Sequence, residues 1–132
     1  MGMIARMRKG LTSSIEFVVT DKDTAETLLS GDLPVLGTPR MIAWLEAATC
    51  AAIAEVMPFG QTSVGTRIAV EHRAASAVGA HVTVQATVTH VDGRLLKFEV
   101  LATDSHTAVV LGHGEITRVV VDRERFLARV TG

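Results

Sequence analysis

Residues 38–57 read TPRMIAWLEAATCAAIAEVM, and this stretch decides the fold. Thr38 is a typical N-cap residue and Pro39 suits the first helical position, so the sequence predicts that a helix begins here. Strong helix formers follow without glycine or proline until Pro58 and Gly60 end the pattern. Apolar residues lie on nearly every side of this predicted helix, so other parts of the protein have to cover it.

The rest of the chain supplies predicted strands that can cover the helix. They span residues 15–19, 62–73, 79–91, 94–104 and 108–121. In the third strand, Val82, Val84, Ala86 and Val88 alternate with polar residues, which is typical of a strand with one buried face. Asp92-Gly93 then predicts a tight hairpin turn into the fourth strand.

Three further segments complete the predicted topology. Residues 21–30 predict a short helix capped by Asp21 or Asp23, residues 31–37 a loop, and residues 122–129 a closing helical turn. The predicted fold class is therefore α+β, with a long central helix wrapped by a curved antiparallel β-sheet. Because this helix offers more apolar surface than one small sheet covers, we expect a homodimer, with a dimer of dimers as an open alternative.

Composition argues against several classes of protein. The 132 residues fit a single domain spanning 1–132, in which residues 1–12 are expected to form a loose N-terminal arm. A formal net charge of −1 and 4% aromatic residues argue against a nucleic-acid binder. The single cysteine, Cys50, excludes a disulfide framework within the chain. No secretory signal or apolar run of about 20 residues is present, so we expect a cytoplasmic protein without a membrane partner.

Three residues are candidates for chemistry. Glu46 lies in the middle of the apolar helix, where a carboxylate needs a partner. It is either a general base or nucleophile, or it belongs to a structural ion pair, a dimer groove or a solvated face. His72 shares the apolar face of its strand with Thr66, Ile68 and Val70, and is either a proton-transfer group or a satisfied core histidine.

Thr38 is the third candidate. As an N-cap its hydroxyl would bind a backbone N–H, yet the same helix start can hold a developing oxyanion or thiolate. Eight residues place Thr38 and Glu46 about 12 Å apart along the helix, so they would line one groove without touching. Other features rank lower. The histidines without metal-ligand spacing are His81, His90, His106 and His113, and Cys50 is expected to act as a small apolar residue.

The residues as a set resemble a known family. The segments TPRMIAWLEAA, SVGTRIAVEHRAASAVG and VTHVDGRLLKFEVLATD are similar to those of hot-dog-fold thioesterases, and most of all to the fluoroacetyl-CoA thioesterase group. The resemblance covers residues 34–130. It implies a helix wrapped by an antiparallel sheet in a homodimer, and a catalytic set of Thr38, Glu46 and His72. Gly65 matches a substrate-binding glycine whose backbone lies close to the acyl group.

The resemblance also implies roles and one departure. Thr38 would polarise the thioester or steady the leaving thiolate, Glu46 would attack or activate water, and His72 would act as acid and base. The group carries phenylalanines ahead of its catalytic helix, whereas residues 18–44 of this chain contain none. Selectivity for a fluorinated acyl group is therefore not expected.

The predicted function is that of an acyl-CoA thioesterase for small or medium acyl groups, with the coenzyme A thioester as substrate and no further cofactor or metal. The alternative is an acyl-CoA-binding or acyl-sensing dimer without catalysis. A hydratase of the same fold would carry an Asn-Pro loop motif, and this sequence has no asparagine. A purely structural dimer is the remaining alternative.

Overall fold

The computed structural model describes residues 6–132. Its elements are β1 (Thr12–Val18), a 3-10 turn (Asp21–Asp23), α1 (Ala25–Leu28), α2 (Thr38–Ile53), a second 3-10 turn (Ala54–Val56), β2 (Gln61–His72), β3 (His81–Asp92), β4 (Leu95–Asp104), β5 (Val110–Asp122) and α3 (Arg123–Thr131). The strands form one antiparallel sheet in the order β1-β3-β4-β5-β2. The predicted α+β class, with a long helix against a curved antiparallel sheet, is confirmed.

The core lies between α2 and the middle of the sheet. Met41, Leu45 and Ile53 from the helix are buried against the alternating apolar face of the strands, including Val84 and Phe98. Trp44 also stacks on Phe17 of β1, with ring centroids 4.7 Å apart. The alternation of apolar and polar residues in the sequence of β3 therefore correctly predicted which face of that strand is buried.

The helix is not covered on every side. Its contacts are mainly with β1, β3 and β4, and few reach β2. One stripe of small residues stays exposed or half-buried, namely Ala43, Ala47, Cys50, Ala51 and Ala54. The prediction that the helix is apolar all round is right, but the burial of that stripe requires something beyond this chain's own sheet.

Several boundaries differ from the sequence-based expectation. The turn between β3 and β4 is Gly93-Arg94, one residue later than predicted, because Asp92 still pairs with Leu95. The two short helical turns before α2 begin after Thr20 and Thr24, so neither Asp21 nor Asp23 is their N-cap. Thr24 caps α1 through its hydroxyl, which accepts from the Thr27 N–H, and the Asp23 carboxylate accepts from the Thr20 N–H.

At the end of the expected N-terminal arm, residues 1–12, the backbone of residues 10–12 pairs with β3. Residues 1–5 lie outside the described part of the chain. The Gly10 N–H donates to the Val88 carbonyl, and the Val88 N–H donates to the Leu11 carbonyl. Thr12, the first residue of β1, then pairs with Thr87 of β3, so the contact with β3 already begins at Gly10. No helix in residues 6–132 is long and apolar enough to cross a membrane.

Candidate active site

Thr38 and His72 form a hydrogen-bonded pair at the start of α2. Thr38 Oγ1 lies 2.7 Å from His72 Nδ1, and either atom can carry the shared proton. The N-cap of α2 is Gly37, so Thr38 is the first helical residue and the prediction that it is the N-cap is wrong. This one-residue difference matters because the Thr38 hydroxyl is not used as a cap and is free to bind the imidazole.

The same helix start holds a backbone donor. The N–H groups of Arg40 and Met41 both donate to the Gly37 carbonyl, and Pro39 has no N–H. Among residues 6–132, the Thr38 N–H therefore has no backbone acceptor, unlike the N–H groups of Arg40 and Met41 in the same turn. It belongs to the positive end of the helix dipole, where a developing negative charge is stabilised.

A cleft of about 270 Å³ opens beside this pair. Its lining is mostly small or aliphatic and consists of Ala25, Ser30, Val35, Leu36, Thr38, His72, Arg73, Ala74 and Ala75. The segment before α2 forms one wall, and it is held by an ion pair of 2.9 Å between Arg40 and Asp23. The Leu36 N–H also donates to the Ser76 carbonyl, which ties this wall to the turn after β2.

His72 is half-buried at the bottom of this arrangement. Burial lowers the pKa of His72 from its ordinary value of 6.5, because a cation is poorly solvated there. The imidazole is therefore neutral at pH 7. Its Nε2 atom is buried and has no hydrogen-bond partner among residues 6–132. A neutral imidazole paired to a hydroxyl is the arrangement expected of a proton-transfer group.

Glu46 belongs to a second cluster, built around a buried arginine. Arg118 Nη1 donates to Glu46 Oε2 at 3.1 Å, and the Arg118 side chain is only 8% exposed. The same guanidinium donates through Nε to Ser63 Oγ at 2.8 Å and through Nη2 to the Ser63 carbonyl at 3.0 Å. Three fixed donors thus leave the guanidinium one orientation, and it presents one N–H to the carboxylate.

A β-bulge in β2 brings Gly65 to this cluster. Gly65 pairs with Arg118 and Arg67 pairs with Thr117, so Thr66 is an extra residue in the ladder. The bulge reverses the alternation, and Gly65 therefore lies on the same sheet face as His72. The sequence-based assignment of Thr66 to that face is wrong for this reason. A Cβ atom on Gly65 would lie 2.7 Å from Glu46 Oε2, so the carboxylate occupies the space that the glycine leaves.

The structure therefore groups the predicted residues in two pairs. Thr38 lies with His72, and Glu46 lies with Gly65, while no hydrogen bond joins the two pairs within the described chain. Arg118 and Ser63 were missed from the sequence, since both lie in ordinary strand patterns and only the strand pairing reveals them. Cys50 is exposed on α2, and residues 6–132 contain no group of three or more potential ligands that could hold a metal ion.

Comparison with known proteins gives the family. The profile of the fluoroacetyl-CoA-specific thioesterase family matches residues 19–124. The chain belongs to this family. A fluoroacetyl-CoA thioesterase from Streptantibioticus cattleyicolor is 35% identical over 130 residues, which cover 94% of this chain and 92% of the relative.

Solved structures agree with the family and the fold. A fluoroacetyl-CoA thioesterase structure superposes with a TM-score of 0.88 at 34% identity and covers 96% of each chain. A thioesterase superfamily member from Thermus thermophilus has a TM-score of 0.84 at 24% identity, over 98% of this chain and 93% of that one. The predicted resemblance to hot-dog-fold thioesterases of the fluoroacetyl-CoA thioesterase family is confirmed.

Proposed function

We propose that this protein is an acyl-CoA thioesterase that hydrolyses small acyl-CoA thioesters at Thr38, Glu46 and His72. The observation that carries the proposal is the 2.7 Å Thr38–His72 pair on the wall of a small, largely aliphatic cleft. Membership of the fluoroacetyl-CoA-specific thioesterase family supports thioester hydrolysis as the reaction. Coenzyme A thioesters are then substrates, and the reaction needs no further cofactor.

The proposed reaction adds water across the thioester. The Thr38 N–H and the positive helix end would stabilise the oxyanion that forms at the carbonyl. Glu46, held by Arg118, would accept a proton from the attacking water, and Gly65 would allow the acyl carbon to approach the carboxylate. The carbon–sulfur bond then breaks, and the proton that Glu46 accepted passes to the leaving thiolate, which the Thr38–His72 pair would stabilise by a hydrogen bond, to give free CoA and a carboxylic acid.

Cleft size and lining favour a short acyl group. The aliphatic walls from Val35, Leu36, Ala74 and Ala75 suit an apolar acyl group. The acyl group and the adjoining pantetheine would have to share about 270 Å³, so a long chain would have to leave the cleft. The segment before Thr38 contains no phenylalanine, and we therefore do not propose discrimination in favour of a fluorinated acyl group.

We further propose a homodimer of single-domain chains in the cytoplasm. Ile68 of β2 pairs with Ile116 and shares its sheet face, yet Ile68 is 40% exposed while Ile116 is fully buried. The exposed stripe of small residues on α2 lies on the same side of the sheet. Covering both surfaces with a second copy would remove apolar area from water, which favours association.

A thiol-release assay over acetyl-, butyryl-, isobutyryl-, benzoyl- and palmitoyl-CoA tests the proposed function. We expect turnover of the short esters by the wild type and little turnover of palmitoyl-CoA. Glu46→Gln, Thr38→Ala and His72→Ala should each lower kcat strongly. Glu55→Gln and His90→Ala are matched controls at exposed positions and should retain wild-type rates. Tight binding of the esters without release of thiol would instead favour the non-catalytic alternative.

A further inference from the structure

Arg73 supplies the one formal charge of the Thr38–His72 cleft. The other residues that line the cleft are uncharged at pH 7, because burial keeps His72 neutral there. Arg73 lines the cleft and is also exposed to solvent, so it lies where the cleft opens. A guanidinium at the opening of an otherwise small and aliphatic cleft indicates a site for an anionic group.

The backbone fixes Arg73 beside His72. β2 ends at His72, and the regular alternation of side chains ends with it. The N–H groups of Arg73 and Ala74 both donate to the Leu111 carbonyl, at 2.7 and 3.2 Å. Because the chain leaves the strand here, His72 and Arg73 are consecutive in sequence and yet both line the cleft. An anion bound at Arg73 would therefore lie close to the proposed catalytic pair.

No carboxylate of the protein neutralises this charge. Arg73 forms no ion pair within residues 6–132. Glu71, two residues earlier, has its Oε2 atom 3.2 Å from His113 Nε2 instead. Arg118 differs from Arg73 in this respect, because it is buried and bound to Glu46. An exposed guanidinium without an ion pair keeps its N–H donors available for a ligand.

We propose that Arg73 binds an anionic group of the substrate and anchors the acyl-CoA at the Thr38–His72 cleft. The inference rests on the proposed acyl-CoA substrate. CoA carries phosphates, and some acyl groups carry a carboxylate, and a guanidinium binds either through paired N–H donors. The net charge of −1 gives the whole chain no general attraction for such anions, so a local cation has to supply it. The exposed position of Arg73 favours the phosphates, which lie outside the acyl cleft.

Calorimetric titration with free CoA measures this anchor without any need for hydrolysis. We expect Arg73→Gln to weaken CoA binding about fivefold, which corresponds to about 1 kcal/mol for an exposed ion pair. Arg73→Lys keeps the charge but not the paired donors, so it should restore part of the affinity. Pantetheine lacks the phosphates and should bind the wild type and Arg73→Gln equally. Added salt should weaken CoA binding more in the wild type than in Arg73→Gln.

Arg94→Gln is the matched control, because it removes the same charge at the far end of the sheet. Arg94 is exposed in the turn between β3 and β4. His72 is in register with Gly112, which is in register with Ala102 of β4. Leu95, the first residue of β4, lies seven residues before Ala102, or about 23 Å at about 3.3 Å per residue. CoA should therefore bind to Arg94→Gln as it does to the wild type.

Thiol-release kinetics identify which anion Arg73 binds. If it is a phosphate, Arg73→Gln should raise KM for acetyl-CoA about fivefold and leave kcat unchanged, because the anchor binds ground state and transition state equally. KM for acetyl-pantetheine should then be the same in both proteins. If it is a carboxylate on the acyl group, KM should rise for malonyl-CoA and stay unchanged for butyryl-CoA, which is of similar size.

The outcomes separate the anchor from the proposed function. Unchanged CoA binding together with unchanged KM for all these esters in Arg73→Gln would overturn the anchor, and so would an equal loss in Arg94→Gln. Thioester hydrolysis by the wild type would still stand in either case. Weaker CoA binding by Arg73→Gln, in a protein whose wild type releases no thiol, would support the anchor while contradicting the thioesterase function.

Discussion

His72 shows how local burial sets the chemistry of one residue. Because burial lowers its pKa below 6.5, neutral His72 persists to more acidic pH than an exposed histidine. If the neutral form is needed, kcat/KM should be constant around pH 7 and should fall with a midpoint below 6.5. A pH–rate profile with short acyl-CoA measures this, and His90→Ala is the control that should leave the profile unchanged.

The same pKa difference affects stability, with a defined sign. Below pH 6.5 the unfolded chain takes up a proton on His72 before the folded chain does, so the free energy of unfolding decreases as pH falls. Well above pH 6.5 the residue is neutral in both states and has no such effect. Urea unfolding at pH 5 and pH 7.5 should therefore show a smaller acid loss for His72→Gln than for the wild type. An equal loss in both proteins would contradict the shift.

Gly65 is predicted to matter through the space that it leaves. Gly65→Ala puts a Cβ 2.7 Å from the resting position of Glu46 Oε2, so the flexible carboxylate has to move away from Arg118. We expect a fall in kcat of at least about tenfold together with a lower Tm, because the buried Arg118 loses its hydrogen bond to the carboxylate. Ala69→Ser, on an exposed part of the same strand, is the control. Thioesterase assays and thermal unfolding of both variants check this, and unchanged kcat in Gly65→Ala would contradict it.

Arg118 is predicted to hold Glu46 by geometry as well as charge. Arg118→Lys keeps the charge but cannot donate to Ser63 Oγ, the Ser63 carbonyl and Glu46 at once. We expect the free energy of unfolding to fall by about 1–3 kcal/mol and kcat to fall with it. Ser63→Ala, which removes one of the three acceptors, should have a smaller effect of about 1 kcal/mol. Equal stability of Arg118→Lys and the wild type in urea would contradict this.

Among single residues, the sequence alone located some groups and missed others. Glu46 and His72 stood out because a carboxylate in an apolar helix and a histidine on an apolar strand face conflict with their surroundings. Thr38 is ordinary at a helix start, and the family resemblance singled it out. Arg118 did not stand out, since an arginine in a strand is ordinary until its neighbours are known. Its partner Ser63 lies 55 residues away in sequence, and only the β2–β5 pairing brings the two together.

At the scale of elements, periodicity predicted the strands and α2 but could not show the bulge in β2. Strict alternation assigns Gly65 and His72 to opposite faces, and one extra residue at Thr66 unites them. The one local hint is Gly65 beside it, since an isolated glycine in a strand pattern often marks a bulge or a close approach of another group, but it does not say which. The bulge is visible only as a mismatch between two paired strands.

The β-bulge in β2 leads to a prediction about deleting one residue from that strand. Deleting Thr66 should restore regular pairing, which turns the preceding half of β2 over and moves Gly65 away from Glu46. We expect loss of thioesterase activity and a lower Tm. Thr66→Val keeps the extra residue and changes only the side chain, so it should retain most activity. Circular dichroism and thiol release on both variants distinguish the two, and an active deletion variant would show that the bulge has no role.

At the scale of the whole molecule, the uncovered face of β2 predicts how the chain associates. Ile68 is 40% exposed in the single chain, so Ile68→Glu should leave the fold intact. In the proposed dimer the same carboxylate would be buried without a partner, at a cost of about 3 kcal/mol or more. The dimer dissociation constant should then rise more than about 100-fold, since each 1.4 kcal/mol is a factor of ten.

Val109→Glu, at a 51% exposed position in the β4–β5 turn, is the matched control and should stay dimeric. Sedimentation velocity over a concentration series measures both variants, with circular dichroism to verify folding. An Ile68→Glu variant with an unchanged dimer dissociation constant would contradict the burial of this face between two copies.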